Sequence, residues 1–228
     1  MKRSEINRYI QEAEALFAKQ CFYLPPFAHW TPQDWKTKSR DEVDEILACN
    51  LGWDVTDFGS GDYKKAGLFL FTIRNAVLNS TKYPKPYAEK IMISLENQVT
   101  LMHYHAHKTE DIINRGGGRL AFRLYNSTPD GKLDDSTVYV SRDGVKTAVQ
   151  PGEMFSIGNG ESITLTPGLY HEFWALKGYG PVMIGEVSAV NDDHTDNFFL
   201  NPLQRFPTVE EDEEPYRLIV GDYAALPF

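Results

Sequence analysis

The sequence has only two cysteines, Cys21 and Cys49, in 228 residues. A secreted disulfide framework of this size carries more, and no spacing pairs these two. Apolar runs are short. None approaches the 18 residues of a membrane-spanning helix, and the polar start Met-Lys-Arg-Ser-Glu-Ile-Asn-Arg lacks the apolar stretch of a signal peptide. The expectation is a cytoplasmic chain with no membrane partner. Basic residues are outnumbered, 23 against 32 acids, for a net charge of −9, which argues against nucleic acid as a partner. Much of the acid is local, in Glu210-Glu-Asp-Glu-Glu214, where a solvated face is the default reading. No internal repeat and no low-complexity linker divides the chain. The glycines Gly116-Gly117-Gly118 are not followed by Lys-Ser/Thr or by a helix, so they are a tight turn between strands and not a phosphate loop.

An apolar fraction of 42% and an aromatic fraction of 13% suffice for one sizeable core. The first third reads as helical. Ile6, Tyr9, Ile10, Ala13, Leu16 and Phe17 recur at helical spacing behind Ser4 as N-cap. Thr31-Pro32-Gln33-Asp34 opens a second helix, and Ser39-Arg-Asp-Glu42 is a capping box for a third that runs to about Cys49. Residues Asp54 to Gly67, rich in Asp and Gly, read as a loop. From Leu68 the pattern changes to short apolar or alternating runs: Leu68–Ile73, Tyr87–Leu95, Thr100–His105, Arg119–Asn126, Ser136–Val140, Lys146–Val149, Phe155–Gly158, Ser162–Thr166, His171–Leu176 and Val182–Val190. Turn dipeptides such as Asp130-Gly131, Pro151-Gly152 and Pro167-Gly168 punctuate them. This predicts a mostly β protein, a double-sheet jelly roll or small barrel, with an N-terminal helical extension (1–67) packed on a barrel (68–228) as one structural domain. The polar tail from Asn191 places Asp192–Phe198 across the barrel mouth, and Tyr216–Val220 can add an edge strand.

Within this frame the chemistry concentrates in Leu101-Met-His-Tyr-His-Ala-His-Lys-Thr-Glu110. Side chains alternate along a strand, so His103 and His105 point to the same side. Glu110 follows after enough chain to turn and return a carboxylate to that point. His171 heads a later strand after a Pro-Gly turn. Three imidazoles and a carboxylate suit a divalent first-row metal with open positions for oxygen ligands. A His-x-His pair alone occurs by chance in many chains; the ordered set of His-x-His, Glu, glycines and Pro-Gly-turn-His is more specific. His107 lies outside the set because the chain must turn between His105 and Glu110. Glu172 and His194 are weaker competitors, and Glu172 points away if His171 points in.

This stretch resembles the first cupin motif, and Pro167-Gly168-Leu169-Tyr170-His171 resembles the second, with one residue missing between Pro and Gly. The wider stretch, with Glu110-Asp-Ile-Ile-Asn-Arg-Gly-Gly-Gly118 and Arg205-Phe-Pro-Thr-Val-Glu-Glu-Asp-Glu-Glu-Pro215, is similar to the D-lyxose isomerase family of cupin sugar isomerases. The resemblance runs from about Tyr87 to the C-terminus. It implies a cupin jelly-roll barrel, a metal site favouring Mn²⁺, and interconversion of D-lyxose with D-xylulose and of D-mannose with D-fructose. Two other readings of the same motif are a cupin dioxygenase using Fe²⁺ and a non-catalytic sugar-binding cupin. With no anion cradle in the sequence, the small-molecule partner is a free sugar and not a sugar phosphate. A homodimer is expected, with Trp30, Trp35 and Trp53 offering aromatic surface for an interface.

Moving a proton between C1 and C2 needs one base in reach of both carbons, and one base on one face implies a cis-enediol. Glu110, as a ligand, is a poor base, which leaves Asp193, Glu186 or an acid near Arg205-Phe-Pro. The resemblance implies a glutamate where this chain has Gln204, a shape match that cannot take a proton. Gln204 is therefore either a crippled base position that still contacts substrate or an ordinary surface residue. Lys90, in an otherwise apolar strand, is a substrate-binding candidate, because a buried ammonium needs an acceptor. Lys108, in the metal loop, is a catalytic candidate at the mouth, and Asp193 a candidate for both roles. Arg123 faces the interior or pairs with acids.

Overall fold

The computed structural model describes residues 1–193 and 195–227. Helix α1 (Arg3–Lys19) presents Ile6, Tyr9, Ile10, Ala13 and Phe17 as one buried stripe. Its N-cap is Lys2, two residues before the expected Ser4. Ser4 lies inside the first turn, where its N–H and Oγ donate to Asp212 at 2.9 and 2.8 Å. The capping boxes of α2 (Pro32–Lys36) and α3 (Arg40–Ala48) form as read: Ser39 N–H and Oγ both donate to Glu42 Oε2 at 2.8 Å.

Fourteen strands lie among the described residues: β1 (Gly52–Thr56), β2 (Leu68–Arg74), β3 (Ala88–Ser94), β4 (Thr100–Tyr104), β5 (Glu110–Gly117), β6 (Leu120–Ser127), β7 (Leu133–Asp134), β8 (Val138–Arg142), β9 (Val145–Val149), β10 (Phe155–Ile157), β11 (Ser162–Leu165), β12 (Leu169–Ala175), β13 (Val182–Ser188) and β14 (Phe198–Phe199). One sheet runs β1-β2-β3-β13-β5-β11-β8-β9 and the other β10-β6-β12-β4-β14, with β7 beside β6. The strand pairs are antiparallel, and the two sheets make a cupin-like jelly roll. Leu70, Met92, Ile112 and Ile184 from the first sheet meet Leu120, Phe122, Leu124 and Phe173 from the second in one core.

Alternation along β2 and β3 explains why both read as apolar throughout. Leu70 and Met92 face the second sheet, while Phe69, Phe71, Ile91 and Ile93 face outward and pack with Ile6, Ile10, Phe17 and Trp53. The large sheet is thus covered on both faces. Full burial of a side chain such as Ile6 or Ile10 contributes about 1.5–3 kcal/mol, which anchors α1 on the sheet.

Four expectations are corrected. Part of the Asp54–Gly67 loop is strand: β1 pairs with β2 from Gly52 opposite Thr72 to Thr56 opposite Leu68. Tyr216–Val220 is not an edge strand; only Ile219 bridges Trp53, and a 3-10 turn (Val220–Ala225) follows. The tryptophans are spent inside the chain. Trp35 and Trp53 are buried, Trp30 packs edge-on against Trp35, and Trp53 Nε1 donates to Ala28 O at 2.9 Å. Nor is the acidic run merely solvated. Arg3, 1% exposed, is clamped between Glu211 and Asp222 at 2.7 Å each, and Glu213 accepts from Asn7 Nδ2. The tail is thereby fastened to α1, against its positive N-terminal end.

Candidate active site

The triple glycine and the Pro-Gly turn set the strands that carry the site. A Cβ at Gly117, at φ +98°, would lie 2.2 Å from Pro181 O, so only glycine lets the end of β5 lie this close to the start of β13. Gly168, at φ +78°, ends the turn before β12, and its N–H donates to His105 O at 2.8 Å. That bond ties the two histidine-bearing segments together. His171 on β12 then stands directly opposite His103 on β4.

After His105 the chain leaves the small sheet and enters the large one at Glu110. Asp196 holds this crossing. Its Oδ1 accepts from Ala106 and His107 N–H at 2.8 Å, its Oδ2 from Lys108 N–H at 2.9 Å, and its carbonyl receives His105 Nδ1. Sequence reasoning put this segment across the mouth but had no signal for Asp196, because its partners lie about ninety residues away. His107 is exposed and outside the cluster. Glu172 points outward to Arg123 at 2.9 Å, so Arg123 pairs with an acid and does not enter the interior. His194 lies outside the described residues.

His103, His105 and His171 are 8%, 5% and 1% exposed, with ligating nitrogens all within 4.8 Å of one another. Each Nδ1 faces a backbone carbonyl: Leu101 O at 2.7 Å, Asp196 O at 2.9 Å and Leu169 O at 3.0 Å. A carbonyl only accepts, so each Nδ1 carries a hydrogen, which leaves Nε2 as the ring nitrogen that can ligate a metal. Glu110 Oε1 lies 3.5 Å from His105 Nε2 and 3.2 Å from His171 Nε2. His171 Nε2 is buried without an aligned hydrogen-bond partner. Lone pairs and a carboxylate oxygen converging on one point fit a cation. The Glu110 separations of 3.5 and 3.2 Å from His105 and His171 suit neighbouring ligands about 2.1 Å from a shared ion, which stand roughly 3 Å apart. The residues therefore fit a divalent metal.

Burial, then repulsion from His171 and His105, holds the His103 imidazole well below its usual value. A depressed folded pKa stabilises the fold above the unfolded value of about 6.5, and that stability is lost as pH falls toward the folded value. Metal-free protein is expected to lose stability progressively as pH falls below about 6.5 from this group. Thermal unfolding in chelator checks this; a His103→Gln variant with the same pH slope as the unaltered chain would refute it.

Beside the imidazoles runs a buried charged wall. Glu110 Oε2 meets Lys108 Nζ at 2.7 Å, and Lys108 Nζ reaches Glu186 Oε1 at 3.0 Å and Asn191 Oδ1 at 3.2 Å. Lys90, opposite Glu186 in the β3–β13 register, meets Glu186 Oε1 at 3.2 Å and Asn191 Oδ1 at 2.6 Å. Asn191 Nδ2 donates to Asp193 Oδ1 at 3.0 Å, and Asp193 Oδ2 accepts from Arg205 Nη2 at 2.9 Å. Burial alone would lower the Lys108 pKa, but Glu110 and Glu186 outweigh it and keep the ammonium. Burial would likewise raise Glu110, Glu186 and Asp193; Lys108 leads in holding the first two down, and Arg205 the third.

One cavity is lined by His103, His105, Glu110, Lys90, Lys108, Glu186, Asp193 and Arg205, with Phe58 and Phe199 among its apolar walls. Gln204 is not on that cavity. It is exposed and donates to Thr208 Oγ1 at 3.3 Å, while its neighbour Arg205 turns inward. Arg205 was part of a recognised stretch but had no assigned role, and its partner Asp54 lies 151 positions earlier, where no local pattern links them.

The sequence matches the family model described as D-lyxose isomerase over residues 1–223. It is 46% identical over 223 residues to a D-lyxose/D-mannose isomerase of Serratia proteamaculans, covering 98% of each chain. It is 44% identical to one of Escherichia coli O157:H7 over the same share of each. Among solved structures it is similar in fold to the L-ribose isomerase of Cellulomonas parahominis with L-ribose, with a TM-score of 0.61 and 14% identity, covering 92% of this chain and 98% of that one. The L-ribose isomerase of Geodermatophilus obscurus gives a TM-score of 0.59 at the same identity and coverage. Full-length match to the family and close identity to two of its named proteins coincide with the imidazole cluster on the jelly roll, and the chain belongs to the D-lyxose isomerase family.

Proposed function

We propose that this chain, a sugar isomerase by its family, interconverts D-lyxose with D-xylulose and D-mannose with D-fructose. The proton moves between C1 and C2 on one face through a cis-enediol, with Glu186 as the shared base. The observation that carries this reading is the placement of a buried carboxylate, Glu186, on the same cavity wall as His103, His105 and Glu110. Lys108, Lys90 and Ser188 all approach Glu186 Oε1, and among the described residues no donor is directed at Oε2. Oε2 is then the oxygen that takes and returns the proton. The two ammonium groups keep Glu186 ionised and ready to accept. Lys108 also occupies Glu110 Oε2, so Glu110 turns Oε1 toward the imidazoles.

A divalent ion, Mn²⁺ in our reading, held by His103, His105, Glu110 and His171, supplies Lewis-acid polarisation of the sugar carbonyl. Asp193 is a positioning residue, because both its oxygens are already engaged by Asn191, Asn197 and Arg205. Gln204 has no part in proton transfer, since it faces solvent. Phe58, Phe199 and Phe173 wall the cavity against water. Asp54, Glu110, Glu186 and Asp193 against Lys90, Lys108 and Arg205 leave a formal −1 before any metal, which favours a neutral sugar over a sugar phosphate.

In this reading residues 1–67 cover the barrel of 68–228 as one unit, and the chain works in the cytoplasm as a homodimer. A groove beside β4, lined by Leu101, Met102, Leu133 and Leu200 together with the Arg123–Glu172 pair, is the surface we assign to pairing. The test is to load metal-free protein with Mn²⁺, add D-lyxose and follow D-xylulose by chromatography, with sedimentation for the mass. Metal-dependent product from a species of twice the chain mass is expected. No product from metal-loaded protein would overturn the assignment.

A further inference from the structure

Within the charged wall, Arg205 keeps a buried nitrogen with no hydrogen-bond partner among the described residues. Its side chain is 10% exposed; Nη2 donates to Asp54 Oδ2 and Asp193 Oδ2, both at 2.9 Å, and Nη1 is buried without a partner among the described residues. A guanidinium only donates, so the atom that completes Nη1 must be an acceptor. The residue lines the same cavity as His103 and His105. From Glu110 the bonded path passes through Lys108, Asn191 and Asp193 before reaching it. With C1 and C2 beside the imidazoles and Glu186, the rest of a sugar extends away from them, and its hydroxyl oxygens are acceptors.

We infer that Arg205 binds the far end of the sugar, at the C4 or C6 hydroxyl, and so sets which sugars are held productively. This rests on the isomerase reading above. Two carboxylates already neutralise the guanidinium, which suits a hydroxyl better than a phosphate. The segment carrying it is held from outside the cavity: the Met1 ammonium donates to Thr208 O at 2.9 Å, and Lys2 bridges Glu210. A rigid donor placed in this way selects by loss, because a sugar without the matching oxygen leaves the buried N–H unpaired.

The experiment uses full-length Mn²⁺-loaded protein with D-mannose, 4-deoxy-D-mannose and 6-deoxy-D-mannose. For the unaltered chain, at least one deoxy sugar is expected to lose about 10–100-fold in kcat/KM, the range of a charge-assisted hydrogen bond. Arg205→Lys keeps the charge between Asp54 and Asp193 but loses the fork. It is expected to lose at least about tenfold on D-mannose, mostly in KM, and little on the deoxy sugar that lacks the bonded oxygen. Metal content and thermal midpoint are measured alongside and should stay near those of the unaltered chain. An equal loss on all three sugars would overturn the proposal and leave Arg205 as a tie between Asp54 and Asp193. If the unaltered chain turns over none of them, the isomerase reading has failed, and calorimetric binding of the same sugars to both proteins decides the contact. Binding that is blind to the deoxy positions, or no binding at all, rejects it.

Discussion

Replacing Glu186 by Gln is expected to lower kcat by about 10²–10⁴-fold, the range over which a positioned acid–base group acts. The amide has the shape of the carboxylate and can still accept from Lys108 and Ser188, so the local packing is preserved. What it lacks is an oxygen that can take a proton. Of the acids in the cavity, Glu110 is divided between the imidazoles and Lys108, and Asp193 between two amides and a guanidinium. Glu186 alone among these has its donors gathered on one oxygen. Metal content and KM should change little, because the loss falls on the transition state and not on sugar binding. A variant that keeps more than about a tenth of the activity would remove Glu186 from the role of base. Gln204→Glu serves as the contrast: an exposed side chain beyond the cavity should leave kcat unchanged.

His171→Ala is expected to abolish both bound metal and turnover. Partners that only support a ligand typically cost 10–100-fold in metal affinity, so loss of a ligand should weaken binding by more than about 100-fold. His171 is the strongest test of the set. It is 1% exposed, its Nε2 has no aligned partner, and Glu110 Oε1 lies 3.2 Å away. Both atoms face the point that a cation would occupy. Elemental analysis after dialysis, with activity measured in parallel, reads the outcome. Stoichiometric metal in the variant would show that His103, His105 and Glu110 suffice.

Much of the architecture was legible because it depends on local periodicity. Period-two alternation fixes which side chains share a face, so the meeting of His103 with His105 followed from spacing alone. The Ser39–Glu42 box and the tight turn at Gly116-Gly117-Gly118 followed from short-range hydrogen bonding and backbone sterics. What misled was composition. Strand β1 hid in an Asp- and Gly-rich stretch because its pairing with β2, and not its own propensity, makes it a strand. The acids after Val209 looked solvated until α1 brought Arg3 and Ser4 to them.

The cavity wall belongs to the tertiary structure. Lys90 and Glu186 became partners through a strand register joining positions 96 apart in the chain. Asp196 reaches the metal loop, and Arg205 reaches Asp54, by closures of 88 and 151 residues. Whether Gln204 or Arg205 turned inward was likewise decided by the course of the tail over the barrel, with no period to announce it. The sequence by itself determined a β jelly roll with three imidazoles and a carboxylate able to meet. Which charges stand beside them was settled only by folding, because burial makes each charged group depend on a partner that local sequence does not name.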